Sequence, residues 1–289
     1  MPSSQKRGIQ VPLYVDYLFK DRNFSVDDVF PGMDALDVVS CGCHLYGYTM
    51  LPGGAPEEKH PCVILLHGFP GHTTNHDIVQ ALRRMGCVVV NPFFRGAWGS
   101  EGYYTFSGLA EDAAAVANWA RSEETAAAYH IDTDNIFIVG HSMGGFACVN
   151  ALRRLPWVKG GVCIAPYDMP WFFENGQVDA FRALLPAGAC LKQQSPQSLF
   201  EDAQACYRDL AFSQAFDDLK DRNLYFIGST KDTTAPPADM ILPLWNRLAQ
   251  HPTGAIQKCE IMNSDHSFND RRIALCTAVG AWIADVASR

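Results

Sequence analysis

The segment Ile136-Phe-Ile-Val-Gly-His-Ser-Met-Gly-Gly145 constrains this chain more than any other. Residues 136–139 are β-branched or aromatic, as in a strand buried on both faces of a parallel sheet. The run passes without a spacer into Gly140-His-Ser142-Met-Gly144, and a helical pattern follows over 143–155. A strand that turns directly into a helix needs a sharp, strained corner. The residues two before and two after the corner must then be small for the backbones to pass. Glycines stand at both places. Such a corner lifts the Ser142 hydroxyl above the strand ends, at the N-terminus of a helix whose dipole favours developing negative charge. Ser142 is therefore the candidate nucleophile.

Around this corner strands and helices alternate. Short apolar runs at 62–66, 87–91 and 161–164 repeat the buried-strand pattern, and 224–227 and 256–262 extend it. An antiparallel pair at 36–39 and 44–50 comes before them. Helical patterns cover 76–85, 109–121, 143–155, 240–250 and 270–287. The order predicts an α/β chain with a mostly parallel central sheet flanked by helices. With 289 residues, 48% of them hydrophobic, the chain can fill the core of such a sheet.

The alternation stops between 170 and 222. That stretch has no strand pattern; it holds Trp171-Phe-Phe173, a helical 178–185, a turn at 186–188 and an amphipathic 198–210. A crossover between parallel strands needs only one helix. The excess predicts a small helical cap inserted after the sixth strand, over the C-terminal sheet edge where open α/β sheets bind ligands. The predicted division is a core of residues 1–169 and 223–289 with a cap over 170–222.

A second turn supports the first. Cys62-Val-Ile-Leu-Leu-His67-Gly68-Phe69-Pro70-Gly71 is a strand ending in a His-Gly turn. A tetrahedral oxyanion needs two fixed N–H donors, one after the nucleophile and one from the loop of an earlier strand. The backbone amides of Met143 and Phe69 are the candidates, and the His67 ring is expected only to shape its loop. With chain order Ser…Asp…His, acid and base lie downstream. His266, in Asn263-Ser-Asp265-His266-Ser-Phe268, follows the last strand run and is the candidate base. His251, in Gln-His-Pro, reads as a helix C-terminus. Asp232 stands just beyond the 224–227 run, and Asp168, after the preceding strand, is the alternative acid. Asp265, adjacent to His266, is expected to point elsewhere.

Charge and composition exclude several functions. Lys and Arg number 23 against 31 acidic residues, a net −8 with no basic run, so no nucleic-acid footprint is expected. No window of about 18 apolar residues occurs, so no membrane span is expected. Residues 1–15 carry two cations but no long apolar stretch, which argues against a secretory leader and for a reducing, cytoplasmic location. Of ten cysteines, Cys62, Cys87, Cys163 and Cys259 lie in or beside apolar runs, and Cys148 and Cys276 in helical patterns. They read as small buried hydrophobes, and Cys41-x-Cys43 fits no zinc spacing. No metal and no cofactor is predicted, and a homo-oligomer is left open.

From about His44 to its end, the chain resembles the α/β-hydrolase superfamily, in particular its esterase and acyl-peptidase-like branch. The resemblance rests on Asn91-Pro-Phe-Phe-Arg95-Gly96-Ala-Trp-Gly99-Ser100-Glu-Gly102 and on Ile131-Asp132-Thr-Asp-Asn135 before the nucleophile strand. It rests also on the Gly228-x-x-x-Asp232 turn with prolines after it, and on Asp265-His266-Ser-Phe268. It implies a serine hydrolase acting through Ser142, His266 and Asp232 by way of an acyl-enzyme. The expected activity is that of a carboxylesterase for small to medium esters, and the small-molecule ester is the expected partner. Trp171 and Phe172 suggest an aromatic, feruloyl-type group, while Arg95 is expected either to orient the substrate or to tie loops together. Two alternatives stand beside it. An aminoacyl- or dipeptidyl-peptidase-like hydrolase would need an anchor for the substrate amine, such as Glu174 or Asp179. A non-catalytic ligand receptor of the same fold would usually lack a member of the triad.

Overall fold

The computed structural model describes residues 13–72 and 74–289; residues 1–12, on which the leader reading falls and with which the predicted core begins, lie outside the described residues. Eight strands form one sheet: β1 Gly32–Ser40, β2 Cys43–Leu51, β3 His60–Leu66, β4 Val88–Pro92, β5 Ile131–His141, β6 Gly160–Ile164, β7 Asn223–Ser229 and β8 Gln257–Met262. Their order is β1-β2-β4-β3-β5-β6-β7-β8. The pairs β1–β2 and β2–β4 are antiparallel, and the other neighbours are parallel. β3 has β4 on one side and β5 on the other, so the chain reverses its winding direction there. At such a switch point the loops after two adjacent strands splay apart and leave a crevice. The loop after β3 carries Phe69, and the corner after β5 carries Ser142.

Alternation along each strand divides the core in two. Val63, Leu65, Val89, Phe137 and Val139 face the helices His76–Met85 and Arg272–Ala287. Cys62, Ile64, Leu66, Val90 and Ile138 face Leu109–Arg121 and Met143–Arg154. Full burial of each large aliphatic side chain contributes about 1.5–3 kcal/mol. The helix predicted over 240–250 is interrupted: Pro237–Met240 ends before Leu242–Leu248 begins, with Pro243 in its first turn. A proline there lacks the N–H that would continue the helix from the preceding turn. The helix Glu123–Ala128 was not foreseen; it is too short to show a period and is capped by Ser122, whose hydroxyl accepts the Thr125 amide.

Between β6 and β7 the described chain is helical, with Met169–Glu174, Val178–Leu184, Pro196–Leu210 and Phe216–Leu219 joined by two short 3₁₀ turns. This is the cap. Its interior is aromatic: the Phe173 ring lies 5.5 Å from Phe181, 5.8 Å from Phe200 and 4.9 Å from Tyr207. Polar contacts fasten it to the core. Asp202 accepts the amides of Phe106 and Ser107 at 2.7 and 3.1 Å, and the Ser107 hydroxyl as well. Lys192 donates its amide to Gly96 O and accepts that of Tyr104. Among the described residues no helix is long and apolar enough to cross a membrane.

Candidate active site

Ser142 has φ 57° and ψ −119°, a conformation that L-residues avoid. The surroundings enforce it. Its amide donates to Ile164 O at 2.8 Å, and its carbonyl accepts Gly145 N at 2.9 Å and Tyr167 N at 3.0 Å. A Cβ on Gly140 would collide with the Gly144 carbonyl, and one on Gly144 with Leu66 O, so the small residues predicted at both places are sterically required. Met143 opens the helix and has no intrahelical acceptor for its amide. The β3 loop passes close by: a Cβ on Gly68 would lie 3.1 Å from that of Ser142. Phe69, the other candidate amide, follows directly in the chain. The His67 ring shapes this loop; its Nδ1 is 2.8 Å from Gly68 O, and its Nε2 accepts the Phe94 amide. Burial lowers its pKa to about 4, so the ring is neutral.

His266 Nδ1 lies 2.7 Å from Asp232 Oδ2, while Asp232 Oδ1 accepts the amides of Thr234 and Ala235. Burial by itself would raise the Asp232 pKa; the hydrogen bond and charge of His266, joined by the two amides, outweigh it and hold the carboxyl below its ordinary value. A second histidine packs against His266. The His141 ring centroid is 4.9 Å from that of His266, with its Nε2 2.9 Å from His266 O. Asp168 makes no hydrogen bond to His266 among the described residues. It accepts the Phe212 amide at 3.4 Å, and burial pushes its carboxyl well above the usual range. Asp265 bonds Asn269, and His251 pairs with Asp221 at 3.1 Å, away from the site as expected.

A cavity of about 110 Å³ adjoins Ser142, lined by Phe69, Phe106, Met143, Tyr167, Phe181 and Leu185 among others. Core and cap both contribute, and Thr234 brings the Asp232 loop to its edge. The expected substrate contacts differ from this. Arg95 does not line the cavity; its guanidinium meets Asp112 at 2.7 Å, Glu111 at 2.8 Å and Gly108 O at 3.2 Å, and so ties loops together. Phe172 stacks on Tyr167 at 5.3 Å and Trp171 packs edge-on against Phe172, which places both behind the cavity wall. Glu174 binds Ser213, and Asp179 is exposed; neither lines the cavity. Phe106, Phe181, Leu185 and Thr234 were not foreseen as lining. For Phe181 and Leu185 the available signal was the apolar face of the 178–185 helix. For Phe106 and Thr234 there was none.

The site thus presents a serine on a strained corner at a helix N-terminus, a carboxylate-oriented imidazole and an apolar cavity. Among solved structures, the Pyrococcus furiosus esterase Pf2001 superposes with a TM-score of 0.64 at 15% identity, covering 88% of this chain and 92% of that one. Est1E from Butyrivibrio proteoclasticus gives 0.63 at 18%, covering 88% and 99%. A puromycin hydrolase gives 0.65 at 17%, covering 90% of this chain but 40% of that larger one. At such identities the likeness shows a shared fold. A search of curated protein sequences gave no match. The sequence profile of the alpha/beta hydrolase family matches residues 63–276, most of the chain and the whole of this site, and the chain belongs to that family.

Proposed function

We propose that this hydrolase is a serine carboxylesterase. The observation that carries the reading is Ser142, strained at a helix N-terminus beside a capped apolar cavity, with its neighbour His141 packed on the His266 that Asp232 orients. His266 Nε2 takes the Ser142 proton as Oγ attacks the ester carbonyl. Asp232 holds the ring in the Nδ1–H tautomer and stabilises the imidazolium. The Phe69 and Met143 amides bind the oxyanion. The proton then passes from His266 to the departing alkoxide, and a water activated by His266 releases the acid from the acyl-enzyme.

The ester reading is favoured over the aminopeptidase one because no acidic residue is among those lining the cavity, so an ammonium group would find no counter-charge there. A receptor of this fold has no need of a complete triad. Fluorophosphonate labelling, with p-nitrophenyl butyrate set against aminoacyl-nitroanilides, tests the reading. Labelling at Ser142 and turnover of the ester are expected. Turnover confined to the nitroanilides, or absence of labelling, would overturn it.

A further inference from the structure

We propose that the cap acts as a size filter restricting this site to esters of compact apolar acids, and that Asp202 is the positioning residue that sets the limit. The inference rests on the esterase reading. The cavity beside Ser142 measures about 110 Å³. An apolar protein cavity of about 150 Å³ holds one benzene. A cavity of that size takes a short aliphatic chain and stops short of a hydroxycinnamoyl group. The acyl group is the one that belongs there. It stays on Ser142 through both half-reactions, whereas the alcohol must leave and admit water in its place.

The roof of the cavity comes from the cap, through Phe181, Leu184, Leu185 and Ala187. The opposing wall includes Phe106, whose ring lies 5.6 Å from Phe181 and 5.9 Å from Phe69. Asp202 fixes the spacing between the two. From the cap helix Pro196–Leu210 it accepts the Phe106 amide at 2.7 Å, the Ser107 amide at 3.1 Å and the Ser107 hydroxyl at 2.5 Å. A carboxylate held by three donors is a strong fastening. A second contact seats the roof: a Cβ on Gly188 of the cap would lie 2.6 Å from Phe69 Cζ, so the cap rests directly on the oxyanion loop. With Asp202 cut back, the cap can lift from Phe106 and the cavity lengthens without loss of the triad.

The test is a series of p-nitrophenyl esters of two-, four-, six- and eight-carbon acids. Wild-type kcat/KM should fall at least about tenfold between the four- and eight-carbon esters, the scale on which apolar pockets discriminate by chain length. In Asp202→Ala the eight-to-four ratio should rise by about tenfold, with fluorophosphonate labelling of Ser142 retained. Asp202→Asn, which keeps an acceptor oxygen, should shift the ratio less. If Asp202→Ala does not fold, Ser107→Ala removes one of the three donors and should move the ratio in the same direction. A flat wild-type profile, or a variant that scales every ester equally, overturns the proposal. Absence of both turnover and labelling in the wild type overturns the esterase reading instead, and this inference with it.

Discussion

The carboxylate of Asp232 is held at both oxygens: His266 Nδ1 lies 2.7 Å from one, and the amides of Thr234 and Ala235 lie 2.9 and 2.7 Å from the other. Its side chain is fully buried. It is held against rotating away from the imidazole, and so favours the tautomer with the proton on Nδ1, the one the proposed mechanism needs.

Asp232→Asn should therefore lower kcat on p-nitrophenyl butyrate by about 10⁴-fold, because the amide favours the wrong imidazole tautomer. Asp168→Asn should leave kcat near wild type. The buried Asp168 carboxyl has a raised pKa, and an amide matches its protonated form while still accepting from Phe212. Comparable losses in the two variants would contradict this division.

Removing the hydroxyl should separate stability from function. Ser142→Gly relieves the strain of φ 57° and should stabilise the fold by about 1 kcal/mol in urea unfolding. The same variant should lose about 10⁴-fold or more in turnover. A lower unfolding midpoint would show that the corner stores no strain.

Gly144→Ala should fail differently. The added Cβ meets the Leu66 carbonyl, a backbone group that cannot move without shifting β3. A loss of more than about 3 kcal/mol, or failure to accumulate folded protein, is the expected outcome. Near-wild-type thermal unfolding would mean that the corner can relax.

Stability should decline in mild acid. Burial holds the pKa of His60, His67 and His141 at about 4 in the folded chain, against an ordinary value of 6.5. Between these values the unfolded chain binds more protons, so the stability these neutral rings contribute is complete above about pH 6.5 and is lost progressively towards pH 4. Thermal unfolding measured across that range should show a falling Tm, and His67→Gln should flatten the slope. A Tm constant from pH 7 to 4 would contradict the neutral burial of these rings.

The framework was legible because its signals are local. Residues 136–145 announce a strand, a corner and a helix within one short window, and the structure places β5 and Met143–Arg154 there. The cap showed itself as a gap in the alternation, between β6 and β7. Legibility ended at side-chain destinations. Arg95 belongs to a motif that suggested substrate contact, yet its nearest carboxylates, Glu111 and Asp112, lie in the first turn of the following helix. Trp171 and Phe172 suggested a binding surface because they are aromatic and lie in the cap, but they pack behind Tyr167.

The sequence by itself determined the strained corner at Ser142, the two candidate oxyanion amides and the placement of His266 after the last strand, because backbone sterics and strand order are properties of short segments. Only the tertiary structure decided between Asp232 and Asp168, and only it revealed the cavity between Phe106 and Phe181 and the fastening by Asp202. Those features depend on which groups, distant in the chain, meet in space. A carboxylate becomes a partner of His266, or a buried acceptor for Phe212, according to the packing of β7 and the cap around it.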